Sequence, residues 1–581
     1  MRLQQIPYAI LLSLAIVIAG RADEFKLKII AFNDFHGNLQ SPGQFKANAQ
    51  ANPVDAGGVN FLAAYIRQLK SQNPDNVVVS AGDLTGASPL ISGLFHDQDT
   101  IETMNRLGLE LNAVGNHEFD KGRQELLRLQ NGGCFKADGV QCEVAAPGAE
   151  GPFQGAKFKY LAANVFDSST GKTLFPEYDV KVYHGVKVAF IGLTLKETPT
   201  LVAPSGIAGL RFDDEAVTIN EVVRKLRKQG IKSFVVLIHQ GGRQSTVGTA
   251  DSNACEGGLD GSPIQSIVSK LDDAVGLVIS GHTHQPYVCR IANRAGRKIL
   301  VTSASAFGRL VTDIDVTIDT KTKRVTGVTA RNIVVDRTNV AGIAPDAALQ
   351  NFVDRYASLA APLANRVVGS VTANISRENN VAGESPLGDI IADAELNATS
   401  IAGAVVAFVN EGGIRTDVPF ASSAFGMQGG DVAYGELFNV EPFGESLVTM
   451  DLTGAQIKTL LEEQFKGCTA GFPVPANTVR KFDAFLQLSA GFSYTWNKNA
   501  APCSKVEPDT IAINNVAVIP SAKYRVTVNS YLADGGDQFY VLTDGTDRVG
   551  GPQSLDVLTD YFAKHRPLAP GQPNRITARP P

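Results

Sequence analysis

Lys26-Leu27-Lys28-Ile29-Ile30-Ala31-Phe32-Asn33-Asp34-Phe35-His36-Gly37 is the stretch that decides the fold. The run through Phe32 reads as a buried strand, and an acid and a histidine follow directly past its end. The same pattern recurs along the chain. Val77–Ser80 runs into Gly82-Asp83, and Leu111–Val114 into Gly115-Asn116-His117-Glu118. Ser233–Ile238 ends in His239, and Val275–Ser280 runs into Gly281-His282-Thr283-His284. Between these strands, Gly58–Leu69 and Glu215–Lys228 carry apolar residues at helical spacing. Strand–helix alternation predicts an α/β domain with helices outside. Open α/β sheets bind ligands beyond the C-terminal ends of their strands, where each of these polar groups falls. The glycines beside them leave room for a ligand to approach closely.

Histidine usage sharpens the pattern. The chain has 8 histidines, and His36, His117, His239, His282 and His284 all lie in these strand-end clusters. His96, His184 and His565 have no such setting and read as ordinary surface or core residues. With Asp34, Asp83 and Asn116, the set supplies imidazole, carboxylate and amide oxygen without thiolate. That chemistry suits Zn, Mn, Fe or Co in an open site better than a Cys-closed structural zinc. Two divalent ions about 3.5–4 Å apart need such a set, with one carboxylate bridging them. They would supply hydroxide at neutral pH for in-line attack on a phosphate group.

Taken in order, D-x-H, G-D, G-N-H-E, a strand-end His and G-H-T-H resemble the motif set of the calcineurin-like metallophosphoesterases. The resemblance implies that Asp34, His36, Asp83 and His284 hold one metal, and that bridging Asp83 with Asn116, His239 and His282 holds the other. It implies that His117 is the non-ligand histidine that stabilises the transferring phosphoryl group, with Asp120 orienting it. The spacing of His117 and Asp120 fits one helical turn.

Beyond about Val335 the pattern changes. Leu300–Val335 reads as antiparallel strands, and Pro345 opens a helix over Asp346–Ala361 that ends near Pro362. From Asn365 a second α/β domain runs to the end. It contains Glu384-Ser385-Pro386-Leu387-Gly388-Asp389, Asn410-Glu411-Gly412-Gly413-Ile414-Arg415, Tyr434–Gly444 and Tyr531-Leu532-Ala533-Asp534-Gly535-Gly536-Asp537. These segments resemble the C-terminal domain of 5′-nucleotidases, so the resemblance covers nearly the whole chain after residue 22. It implies a four-layer α/β/β/α metallophosphoesterase domain at 23–338, a linker with a connecting helix at 339–364, and an α/β nucleotide-binding domain at 365–581. Phe443 and Tyr531 would grip a purine between two faces. Arg377 and Arg415 would hold phosphate or ribose oxygens, Asn410 would donate to the base, and Asp537 would accept from ribose hydroxyls. Where many relatives carry two arginines, only Arg377 stands, with Val381 at the position of a second.

The expected activity is hydrolysis of nucleoside 5′-monophosphates such as AMP, with di- and triphosphates or UDP-sugars as further substrates. A 2′,3′-cyclic-nucleotide phosphodiesterase and a non-catalytic nucleotide-binding surface protein are the alternatives. At 53 Lys and Arg against 58 Asp and Glu, the net charge is −5, which gives no support to non-specific binding of a nucleic acid duplex. Arg2, the apolar run Ile6–Ala19, and Gly20 with Ala22 read as a signal peptide over residues 1–22. A secreted or periplasmic protein is therefore expected, with no membrane span in its mature form. The 6 cysteines fall as close-set pairs, and the pairing that closes short loops is Cys134–Cys142, Cys255–Cys289 and Cys468–Cys503.

Overall fold

The computed structural model describes residues 24–134, 153–202, 204–245, 251–338, 340–421, 428–469, 480 and 482–579. Residues 1–22, read as a signal peptide, lie outside the described residues.

The strand Glu24–Phe32 is joined in parallel by Asn76–Ser80, and that strand by Leu111–Ala113 and Lys159–Leu161. On its other side it pairs antiparallel with Leu310–Asp319, which is followed by Arg324–Val334. These six strands form one sheet. A second six-stranded sheet has Val186–Thr194, Ser233–His239, Val275–Ser280 and Lys298–Ala304 running parallel, with Tyr178–Tyr183 and Pro286–Ala292 as antiparallel edges. Leu27, Ile29, Val77 and Val79 of the first sheet share one buried cluster with Val188, Val235, Leu277 and Ile279 of the second. The two sheets therefore pack face to face. Helices such as Val59–Ser71 cover the outer face of the first, and Glu215–Lys228 that of the second. This is a four-layer α/β/β/α arrangement. Strands buried on both faces explain the nearly unbroken β-branched and aliphatic runs in the sequence.

Two expectations need correction. Leu300–Val335 is not one antiparallel unit, because Lys298–Ala304 belongs to the second sheet while the two later strands extend the first. The connecting helix does not stop near Pro362 but spans Ala347–Ala364. Proline in the last turn forfeits only its own backbone donor, and the Asn365 N–H still closes on the Ala361 carbonyl at 2.9 Å. At its start the Asp346 carboxylate accepts from the Leu349 N–H. Leu349, Phe352, Val353, Tyr356 and Ala360 of this helix join the apolar core of the first domain.

Beyond the helix, a five-stranded sheet runs in the order Leu486–Leu488, Val406–Asn410, Lys523–Asn529, Ser446–Thr453, Thr546–Gln553. Val406–Asn410 and Lys523–Asn529 are parallel neighbours, so Asn410 and Tyr531 emerge at the same sheet edge. Two of the expected disulfides, Cys255–Cys289 and Cys468–Cys503, are formed. The third expected pair, Cys134–Cys142, includes a residue outside the described set.

Candidate active site

The C-terminal ends of both sheets meet at one place. The first sheet contributes Asp34, His36, Asp83 and Asn116, and the second contributes His239, His282 and His284. Asp34, His36 and His284 bring ligand-capable atoms within 4.8 Å of one another, and so do Asp83, His239 and His282. Asp34, His36, Asp83 and His239 are almost fully buried.

The donor set fits a pair of cations. The Nδ1 of His36 lies 2.8 Å from the Gly86 carbonyl, and the Nδ1 of His239 lies 2.8 Å from the Ala81 carbonyl. A carbonyl can only accept, so each Nδ1 carries a proton and each Nε2 is left to face the site. The Nε2 of His36 faces the Nε2 of His284 at 3.1 Å, and the buried Nε2 of His239 faces Asp83 Oδ2 at 2.9 Å. Ligand-capable atoms thus converge on one place. Burial holds His36 well below the usual imidazole range and pushes His282 down to about 3, so both stay in the neutral form that binds metal. At His239, burial acts in the same direction, but Asp83, 2.9 Å away, overrides it and pushes the imidazole up to about 9.

The backbone here is unusual. Asp34, His36, Asp83, His282 and His284 all have positive φ, between 47° and 73°. Left-handed conformation in a non-glycine residue costs roughly 1–2 kcal/mol, so the surrounding sheets hold these turns against a local preference. The neighbouring glycines do not reserve space for an incoming ligand, as the sequence suggested. A Cβ on Gly115 would sit 2.0 Å from Asp83 Oδ1, on Gly82 2.6 Å from His239 Nδ1, and on Gly281 2.8 Å from Asp34 Oδ2. They let the site's own side chains converge. Glu118, which sequence reasoning quoted within its motif but gave no role, accepts from the N–H groups of Asp83, Leu84 and Gly115 at 3.0, 2.7 and 2.6 Å. One buried carboxylate thereby ties two of the strand-end loops together. Asn33 does similar work, bonding Asp34 and the backbone of Ala304 and Ser305.

His117 lies beside this cluster, its Nδ1 2.9 Å from Asp120 Oδ2. Burial would lower its pKa, but the carboxylates of Asp120 and Asp83 outweigh burial and raise it. The balance favours the protonated form of His117. Asp120 also accepts from the Ala87 N–H at 3.2 Å.

Across from these groups stands the second domain. A cleft of about 690 Å³ has Asp83, Asn116, His117, Asp120, His282 and His284 on one wall and Arg377, Asn410, Arg415, Phe443, Tyr531 and Asp537 on the other. The ring of Phe443 lies parallel to that of His117 with centroids 5.9 Å apart, and the Arg415 guanidinium lies 5.7 Å from the same ring of Phe443. Arg377 Nη1 donates to the Arg415 carbonyl at 2.7 Å, which fixes one arginine by the other. Tyr531 OH donates to Asp537 Oδ1 and accepts from the Asp537 N–H, both at 2.8 Å. Asn410 Nδ2 donates to Asp537 Oδ2 at 2.8 Å, while its Oδ1 accepts from Asn529. One of the two Asn410 protons is therefore already used, leaving one for a ligand. Sequence reading missed Glu445 and Arg243, which also line the cleft. Neither lies in a recognisable motif position that would have flagged it.

The chain matches the family model for calcineurin-like phosphoesterases over residues 27–286 and that for the 5′-nucleotidase C-terminal domain over residues 367–544. It is 29% identical over 556 residues to endonuclease YhcR of Bacillus subtilis, covering 95% of this chain and 41% of that protein. It is likewise 29% identical over 546 residues to cell wall protein Lmo0130 of Listeria monocytogenes, covering 89% of this chain and 64% of that protein. The chain thus spans less than two thirds of the length of these two relatives. Among solved structures, a 5′-nucleotidase precursor from Thermus thermophilus matches with a TM-score of 0.75 at 25% identity, covering 95% of this chain and 99% of that one.

Proposed function

We propose a phosphomonoesterase acting on nucleoside 5′-phosphates, from the premise that this chain belongs to the 5′-nucleotidase family of calcineurin-like phosphoesterases. The observation that carries this reading is the single cleft in which metal-capable groups of one domain face the arginines and aromatic rings of the other. Asp34, His36, Asp83 and His284 would hold one divalent ion, and Asp83, Asn116, His239 and His282 would hold the second, a reading supported by the two convergent groups of ligand-capable atoms. When bound, two such ions (Zn, Mn, Co or Fe) supply a nucleophile from water at neutral pH and offset phosphate charge.

The remaining groups bind and orient. His117, its protonated form favoured by Asp120 and Asp83 and its ring aimed by Asp120, donates to a phosphoryl oxygen as charge builds on it. Arg415, anchored through Gly412 and the backbone contact from Arg377, offers a fork to the phosphate. Phe443 and Tyr531 receive the base, and Asp537 takes the ribose hydroxyls. The proposal extends to a protein that works outside the cytoplasm. Two formed disulfides suit an oxidising compartment, and no helix among the described residues is long and apolar enough to cross a membrane.

A substrate panel on metal-reconstituted protein tests the proposal. AMP should be hydrolysed with the highest kcat/KM, ahead of UDP-glucose and 2′,3′-cAMP. Preferential turnover of 2′,3′-cAMP would replace this reading with a cyclic phosphodiesterase. Tight AMP binding without turnover, with both metals present, would leave only a nucleotide-binding protein.

A further inference from the structure

The turn that presents Asp537 is one its residues do not favour. Asp537 and Gln538 follow each other with φ of 49° and 61°, and a left-handed backbone costs free energy wherever a side chain is present. Contacts from elsewhere must therefore hold it. Tyr531 OH meets both the carboxylate and the N–H of Asp537, and Asn410 Nδ2 takes the other carboxylate oxygen. Those bonds leave the Asp537 carbonyl to a different partner.

Arg480 is that partner. Its Nη2 donates to the Asp537 carbonyl, and its Nε donates to the Glu463 carbonyl at 2.7 Å. One planar guanidinium thus spans two backbone carbonyls and joins the turn to the end of the helix Gly454–Glu462. The guanidinium lies 4.8 Å from the centroid of the Phe539 ring, and the residue is buried. The Arg480 carbonyl accepts from the Gly467 N–H at 2.9 Å, beside the Cys468–Cys503 disulfide, so the backbone that carries the arginine is itself tied down. Burial acts against the charge, and the carboxylates of Asp537 and Glu463 act to keep it. A lysine would not reproduce this, because its ammonium lacks the rigid fork.

Asp537 lines the cleft, whereas Arg480 is not among the residues that do. Any effect of Arg480 on a nucleotide must then pass through Asp537. We propose that Arg480 is a positioning residue for nucleoside recognition, which clamps the Asp537 carbonyl and so sets the angle at which the carboxylate meets the ribose hydroxyls. With the clamp removed, the turn relaxes toward a right-handed backbone and the carboxylate swings away from Tyr531 and Asn410. The phosphate end of the substrate is untouched by this change, because the metal-capable groups and His117 belong to the other domain. The proposal rests on the ribose role given to Asp537 above and adds a residue behind it that no motif marks.

AMP and 2′,3′-dideoxy-AMP, which lacks the ribose hydroxyls, test this on the full, metal-reconstituted chain. Arg480→Met should lower kcat/KM for AMP at least tenfold, through KM with kcat within about threefold, and leave kcat/KM for the dideoxy compound within about threefold of the parent. The parent's preference for AMP should therefore collapse, as it should in Asp537→Ala. Arg480→Lys, which keeps the charge but not the fork, should change in the same direction and carries the comparison if Arg480→Met does not fold, as judged by Tm. An equal loss on both substrates would overturn the proposal in favour of a merely structural arginine. So would an unchanged preference for AMP in folded Arg480 variants while Asp537→Ala abolishes it. No preference for AMP in the parent, or an Asp537→Ala variant that keeps one, would overturn the ribose role of Asp537 and this proposal with it.

Discussion

His117 separates the role of a proton donor from that of a metal ligand. Its Nδ1 is committed to Asp120, and it belongs to neither group of converging ligand atoms. His117→Asn should keep metal content near that of the parent while lowering kcat by roughly 10²–10³, the loss typical of one transition-state donor. Metal analysis beside steady-state kinetics checks it, and loss of an ion would move His117 into the coordination sphere. That these histidines gather at one place was legible from residue type and strand-end position. Their left-handed backbone was not, since nothing in a side chain's identity announces a positive φ that the surrounding sheets impose.

At the scale of elements, the loops after the strands matter more than the strands. Gly115, two residues past the strand Leu111–Ala113, lets Asp83 approach from the neighbouring loop. Gly115→Ala should displace Asp83, reduce bound metal well below that of the parent and lower turnover at least tenfold, read by elemental analysis and kinetics. Full metal content in a folded variant would show that Asp83 has room to shift. The helix Glu215–Lys228 gives a stability prediction. Burial, with the charge of Glu197 adding to it, pushes the Glu215 carboxyl from 4.5 up to about 7. Between these values the native state holds a proton that the unfolded chain releases, so this group's contribution to stability falls as pH rises and its full cost stands above pH 7. Glu215→Gln should therefore gain on the parent by roughly 3 kcal/mol in going from pH 4 to pH 8. Urea midpoints for both proteins at the two pH values measure it, and a constant difference would show that Glu215 ionises normally in the fold.

For the whole molecule, the contact between domains is the feature with most consequence. The Leu90 N–H donates to Asn439 Oδ1 at 3.2 Å and Lys121 Nζ to the Phe443 carbonyl at 3.3 Å, while Phe443 lies over His117. These contacts close the cleft over the site. The connecting helix is packed into the first domain's core through Leu349 to Ala360, so any hinge belongs at its C-terminal end, near Asn365 and Arg366, before Val367–Ser370 pairs with Asp431–Ala433. Substrate entry then needs the domains to part, and parting should limit turnover. A Pro89→Cys, Asn439→Cys pair, oxidised across this contact, should cut kcat at least tenfold, with recovery on mild reduction. Undiminished turnover in fully cross-linked protein would show that nucleotides enter without domain motion.

By itself the sequence determined the α/β class, five buried strands of the first domain and the metal-capable set, because buried parallel strands demand apolar runs and polar exceptions at their ends stand out. It also marked the C-terminal motifs by resemblance. Only the tertiary structure decided that Leu300–Val335 divides between two sheets, since both sheets draw on the same β-branched vocabulary. Pro362 inside the connecting helix was decided the same way, because the cost of a proline depends on which backbone bonds remain to be lost. The role of Glu118 lay beyond sequence reasoning for a related reason. A carboxylate that gathers three N–H groups from two loops is defined by what the fold brings to it rather than by the residues beside it in the chain.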